Sequence, residues 1–99
     1  MNIFEMPELP VPEELMTVLA ESGNVRIERI ISSGQVSDWY DQPDTEFVVL
    51  LEGSARVEFE NNKVANMSKG DTLLIKPHEL HRVGYTSTDP PCVWLCVFY

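Results

Sequence analysis

The chain has 99 residues, with seven Lys and Arg against sixteen Asp and Glu and a formal net charge of -9. That length fits one domain spanning residues 1–99 and leaves no room for a nucleotide-binding domain beside a catalytic one. The acidic balance argues against a nucleic-acid partner, which is held by clustered cations, and against attachment to anionic lipid. A hydrophobic content of 43% with 9% aromatics is that of a folded chain and not of a disordered one.

The first segment, Met1 to Glu8, lacks a basic region and is followed by Pro10 and Pro12, so it does not read as a signal peptide. The longest apolar stretch, Cys92 to Tyr99, is too short to cross a bilayer as a helix. Residues 1–24 read as an arm followed by one short N-terminal α-helix over Val11 to Gly23. Pro12 suits a first turn, Glu13 and Glu14 suit the positive end of the helix dipole, and Gly23 suits a stop. Leu15, Val18 and Leu19 would give that helix one apolar stripe to pack on the domain. The acidic residues between Glu5 and Glu28 read as a solvated face.

From Val25 the period changes to two. Val25 to Ser32 is rich in Ile and Val, and Ser54 to Glu60 alternates, with Ala55, Val57 and Phe59 on one face and Arg56, Glu58 and Glu60 on the other. Asn61-Asn62 before Lys63 to Met67 is hairpin chemistry, because Asn tolerates positive φ. Further strands are expected over Thr72 to Ile75, His81 to Thr86 and Cys92 to Phe98, which makes residues 25–99 an all-β sandwich or barrel. Phe47 to Leu51 and Val93 to Phe98 are apolar at both parities, so both of their faces need cover. The barrel interior covers one; the helix or a second subunit must cover the other, and a homodimer is expected. Cys92 and Cys96, four apart on one extended segment, lie ~13 Å apart, about twice the reach of a disulfide. They read as buried, inert free thiols suited to a reducing cytoplasm.

Two segments carry the chemistry. One runs from Gly34 through Trp39-Tyr40-Asp41-Gln42 and Glu46 to Gly53; the other runs Gly70-Asp71-Thr72-Leu73-Leu74-Ile75-Lys76-Pro77-His78-Glu79-Leu80-His81. Period-two geometry puts Tyr40, Gln42 and Glu46 on one face with Asp41 pointing away, and puts His81, Val83 and Tyr85 together facing inward. The three-residue spacing of His78 and His81 places them on opposite faces, which makes His78 a rim residue. Asp71 after Gly70 reads as turn chemistry. Arg56 and Arg82 read as surface charges, and Trp39 as core or interface packing or as a stacking residue at the pocket mouth.

Over Gly34 to Val83 these segments resemble the two motifs of the RmlC-like cupin superfamily, separated by a short region from Ser54 to Lys69. Trp39-Tyr40-Asp41-Gln42 and the Trp94-Leu95 ending resemble a small single-domain bacterial subgroup of unassigned function. The resemblance implies a double-stranded β-helix, the cupin jelly-roll barrel. It aligns Glu46 and His81 with two of four family metal ligands, while Tyr40 and Gln42 stand where the family carries histidines. A site of Tyr40, Gln42, Glu46 and His81 would offer one nitrogen and three oxygens to a divalent Zn, Mn, Fe or Ni ion, less tightly than three imidazoles and a carboxylate. No organic cofactor is implied. Three readings follow: a barrel pocket that binds a small polar ligand and a divalent metal, an isomerase or lyase using Glu46 and His81 as acid and base with Tyr40 at a developing oxyanion, or a non-catalytic ligand sensor or accessory protein.

Overall fold

A computed structural model describes every residue from Met1 to Tyr99. Eight strands follow one another: β1 (Leu15–Ser22), β2 (Val25–Ser32), β3 (Glu46–Glu52), β4 (Ala55–Phe59), β5 (Val64–Met67), β6 (Thr72–Ile75), β7 (His81–Thr86) and β8 (Cys92–Phe98). They form a five-stranded sheet in the order β1-β2-β8-β3-β6 and a three-stranded sheet in the order β5-β4-β7. Every pairing is antiparallel. The core lies between the sheets, with Val48, Leu50, Cys92, Trp94, Cys96 and Phe98 of the larger packed against Ala55, Val57, Phe59 and Met67 of the smaller. β2, β6, β7 and β8 span the segments expected from the sequence.

The N-terminal helix is not formed; the structure contains no helix, and Leu15–Ser22 is strand β1. The Leu15, Val18 and Leu19 spacing that suggests a helical stripe also lies within an alternating segment that includes β-branched Thr17 and Val18. Such a strand gains a ladder by adding to the free edge of β2, whereas a short isolated helix must bear its own nucleation cost. Gly23 ends the segment not as a helix stop but as the first residue of a two-residue hairpin loop. Ser22 pairs with Val25 across it, and φ at Gly23 is 57°, as a type II′ turn has. At the β4–β5 loop the expected Asn chemistry is realised by Asn62, whose φ is 64°.

A second departure concerns Tyr85. The β4–β7 register shifts so that Val57 pairs with Val83 but Arg56 pairs with Tyr85, which leaves Gly84 as an extra, bulged residue. Parity therefore flips: Tyr85 faces outward and is exposed, and Thr86 takes the inward position.

The outer face of the large sheet is apolar, as the two-faced strands require. Ile31 and Val93 are paired there and fully covered, and Val11 of the N-terminal arm is buried with its amide donating to the Ser33 hydroxyl. Arg29, on the same face and 6% exposed, donates from one terminal nitrogen to the carbonyls of Ile3 and Glu5. The arm, not a helix, thus covers one end of this face. At the other end Phe47 and Leu74, cross-strand partners, remain exposed.

Candidate functional site

Residues 37–42 run alongside β7. The Ser37 amide donates to the Val83 carbonyl (3.0 Å), Tyr40 and His81 exchange backbone bonds of 2.7 and 3.2 Å, and the His78 amide donates to the Gln42 carbonyl (2.7 Å). This irregular edge brings the first motif against the second. Gly53, which ends the first motif, has φ of 92°, and a Cβ there would lie 2.9 Å from the Cys92 Cα and the Pro91 carbonyl. Only glycine allows β3 to leave the sheet this close to β8.

Between the sheets is a cavity of about 240 Å³ that opens to solvent. Tyr40, Gln42, Glu46 and His81 all line it. His81 is 4% exposed, with its ring packed near those of Tyr40 and Phe59 at centroid distances of 5.7 and 6.4 Å. Its Nδ1 stands 2.8 Å from the Glu79 carbonyl oxygen. A carbonyl only accepts, so Nδ1 carries the proton, and in the neutral ring Nε2 keeps its lone pair. Nε2 lies 3.9 Å from Glu46 Oε1, too far for a hydrogen bond. Glu46, 9% exposed, instead accepts from the Gln42 amide at 3.0 Å.

Tyr40 is half-exposed at the rim. Burial, and then the negative charge of Glu14, push its phenol above the ordinary value, so at neutral pH it is a proton donor and not an anionic ligand. Burial, followed by the neighbouring Glu46 charge, pushes the Cys96 thiol far up. The thiols of Cys92 and Cys96 are both free and buried.

Two further carboxylates reach the cavity, Glu14 and Glu28. For Glu28 the sequence reading as a solvated face is corrected here; Glu14 is exposed, as that reading has it, although its carboxyl borders the cavity. Glu28 is 6% exposed, on the inward parity of β2 opposite Cys96, and is paired with Arg26 at 2.6 Å. Glu14 is exposed at the rim just before β1, and partial desolvation of its carboxyl, then the charges of Glu28 and Glu46, push it up. Alternation along Arg26, Glu28, Ile30 and Ser32 contained the signal for Glu28. Glu14 was concealed by the helix expected there.

His78 lies outside the cavity, exposed, with Nδ1 2.7 Å from Asp41 Oδ1. Trp39 is outside both core and cavity, stacked under the Arg82 guanidinium at 4.4 Å. Arg82 and Arg56 both pair with Glu58, at 2.8 and 2.7 Å, which holds that carboxyl below its usual value. Asp71 caps its turn by accepting from the Ser68 amide.

The donor set does not complete a transition-metal site. Glu46 and His81 are strong donors, but Gln42 is directed through its amide nitrogen at Glu46 and Tyr40 is held protonated. No group of three or more His, Cys, Asp or Glu side chains is arranged to hold a metal ion.

A family model described as a cupin domain matches residues 27–98. The chain is similar to an L-ectoine synthase of Rhodococcus erythropolis, 30% identical over 97 residues, covering 82% of this chain and 71% of that one. Among solved structures it is similar to a candidate mannose-6-phosphate isomerase from Ralstonia eutropha, 39% identical with a TM-score of 0.93, covering 99% of this chain and 94% of the other. The polyketide cyclase RemF of Streptomyces resistomycificus, 15% identical with a TM-score of 0.76 over 88% of this chain and 65% of its own, shares the fold.

Proposed function

The chain belongs to the cupin family, and on that premise we propose that its barrel cavity binds a small polar organic molecule through Glu46, His81, Gln42 and Tyr40. One observation carries the reading: a buried imidazole, held through Nδ1 by the Glu79 carbonyl, turns its Nε2 to an open cavity opposite a buried carboxylate. Buried polar groups are ordinarily satisfied, and these two leave a gap that a ligand's donor or acceptor fills. The lining contains no Lys or Arg, so a phosphate dianion of the kind in the Ralstonia protein's name finds no cationic partner on these walls. A thermal-shift screen of small polar metabolites tests the proposal. Ligands that raise Tm should lose their effect in both His81→Ala and Glu46→Gln, and a screen in which every stabilising compound acts equally on both variants refutes it.

A second reading, an isomerase-, cyclase- or lyase-type enzyme, is favoured by the same lone pair. In this reading Nε2 takes a proton from carbon next to a carbonyl, and the Tyr40 phenol donates to the oxygen where charge develops. The names of the relatives, a synthase, an isomerase candidate and a cyclase, fit such chemistry. Deuterium exchange into a bound carbonyl compound, followed by NMR and abolished in His81→Gln, distinguishes turnover from simple binding. The proposal includes a homodimer, supported by the uncovered Phe47–Leu74 end of the outer face. It also includes a cytoplasmic setting, which two free thiols suit.

A further inference from the structure

The charge of the cavity wall identifies the class of molecule it takes. Three carboxylates line it, from Glu14, Glu28 and Glu46, and His81 is the only basic side chain among the sixteen lining residues. Glu28 is neutralised by Arg26, which reaches it at 2.6 Å from beyond the lining and itself lies over the Phe98 ring. Glu46 has no cationic partner within hydrogen-bond distance, and Glu14 takes part in no ion pair. Most of the remaining wall is apolar, including Trp94. Glu46, buried against such a wall, is costly without a positive partner, and the cost is relieved by an occupant that carries one; Glu14, exposed at the rim, adds its charge at the mouth.

A second feature points into the same space. The His81 side chain is 95% buried, and its Nε2 has no hydrogen-bond partner while facing the cavity. In the neutral ring this atom accepts a proton-bearing group, as the carboxylates do. The uncompensated groups around the space therefore all ask for a donor.

Resting on the reading that this cavity binds a small organic molecule, we propose that its ligand is an organic cation, a primary ammonium or amidinium on a short apolar body. The charged head faces Glu14 and Glu46 and donates to His81 Nε2, and the body lies against Trp94. The cavity, at about 240 Å³, is smaller than the ~300–1,000 Å³ of drug-sized sites, which limits the occupant to a compact molecule.

The test uses three isosteric probes, n-pentylamine, 1-pentanol and pentanoate, titrated at pH 7 and low salt into a Trp39→Phe protein. That substitution removes the tryptophan outside the cavity and leaves Trp94, which lines it, as the only tryptophan, excited selectively at the red edge of the indole band. The amine should give a saturable change at least tenfold tighter than the alcohol, with pentanoate weaker still. Glu46→Gln and Glu14→Gln should each reduce the preference to below threefold, and Glu60→Gln, an exposed acid away from the cavity, should leave it unchanged. Alcohol or pentanoate binding as tightly as the amine overturns the cation proposal while leaving a ligand-binding cavity standing. A saturable response to Zn²⁺ without one to the amine overturns it in favour of a metal. Saturable binding of none of these probes overturns both the proposal and the reading it rests on.

Discussion

A single hydrogen on Nδ1 decides what His81 contributes. With the Glu79 carbonyl accepting that proton, Nε2 is fixed as the atom that meets a ligand, and replacing the ring removes both the acceptor and its support. His81→Ala should cost about 1–3 kcal/mol, the range for a lost buried hydrogen bond and its packing, and leave a cooperative unfolding transition in denaturant. Loss of the transition itself would show that the residue serves the fold more than the pocket. Glu14 supplies a pH signature. Its folded pKa is raised above the usual carboxylate value, so the charged form is disfavoured in the native state. That penalty is fully present above the folded pKa and vanishes as pH falls below the unfolded one. Glu14→Gln should therefore raise Tm at pH 7 to 8, with the gain shrinking on acidification and gone below about pH 4. A gain that persists in acid would trace to packing instead. The raised Cys96 thiol predicts inertness: a thiol-specific disulfide reagent at pH 8 should leave Cys96 unmodified in the native protein and react with it only in guanidinium.

Elements were legible where alternation met a complete strand, and illegible where tertiary pairing overrode a local pattern. β2 was readable from its Ile- and Val-rich run, β4 from its period-two alternation, and β8 as a run apolar at both parities after Pro90-Pro91. β1 was not, because Pro12, two glutamates and a following glycine also describe a helix start and stop. Gly23-Asn24 between two β-rich runs was the hairpin signal that outweighs it. The bulge at Gly84 was equally hidden, since no alternation count reveals one inserted residue, and Tyr85 was displaced by it. The candidate site divides the same way. Tyr40, Gln42, Glu46 and His81 were readable through motif spacing, whereas Glu14 enters from just before β1 and Glu28 from β2, which neither motif includes. Gly53 offers a direct test of how tightly the first motif is bound to the sheet. Gly53→Ala places a Cβ against backbone of Pro91 and Cys92 at a φ of 92°, and should lower stability by about 2 kcal/mol or more. A change below 0.5 kcal/mol in chemical denaturation would mean that the β3–β4 turn yields freely.

For the whole molecule the unresolved tension is between an apolar outer face and a large negative charge. Across the large sheet, register aligns Leu74, Phe47, Val97 and Ile27 in one outward row. The arm held by Arg29 covers the neighbouring Val93 and Ile31 but leaves Phe47 and Leu74 exposed. Burying two such rows against each other removes apolar surface worth roughly 25 cal/mol per Å², opposed by repulsion between two chains of net charge -9. Repulsion between exposed charges is screened by salt, while the apolar contact is not weakened by it. The dimer should accordingly tighten as ionic strength rises from about 0.02 to 0.3 M, with a Debye length falling from roughly 20 Å to about 6 Å. Phe47→Glu should shift the equilibrium to monomer by adding a charge at the centre of the row, and Phe47→Leu should preserve association. Sedimentation equilibrium at low micromolar concentration reads both effects, since the wild-type chain should return about twice 11.3 kDa at the higher salt. A wild-type mass of one chain at every ionic strength would show that the Phe47–Leu74 row is tolerated in water and that the homodimer is not formed.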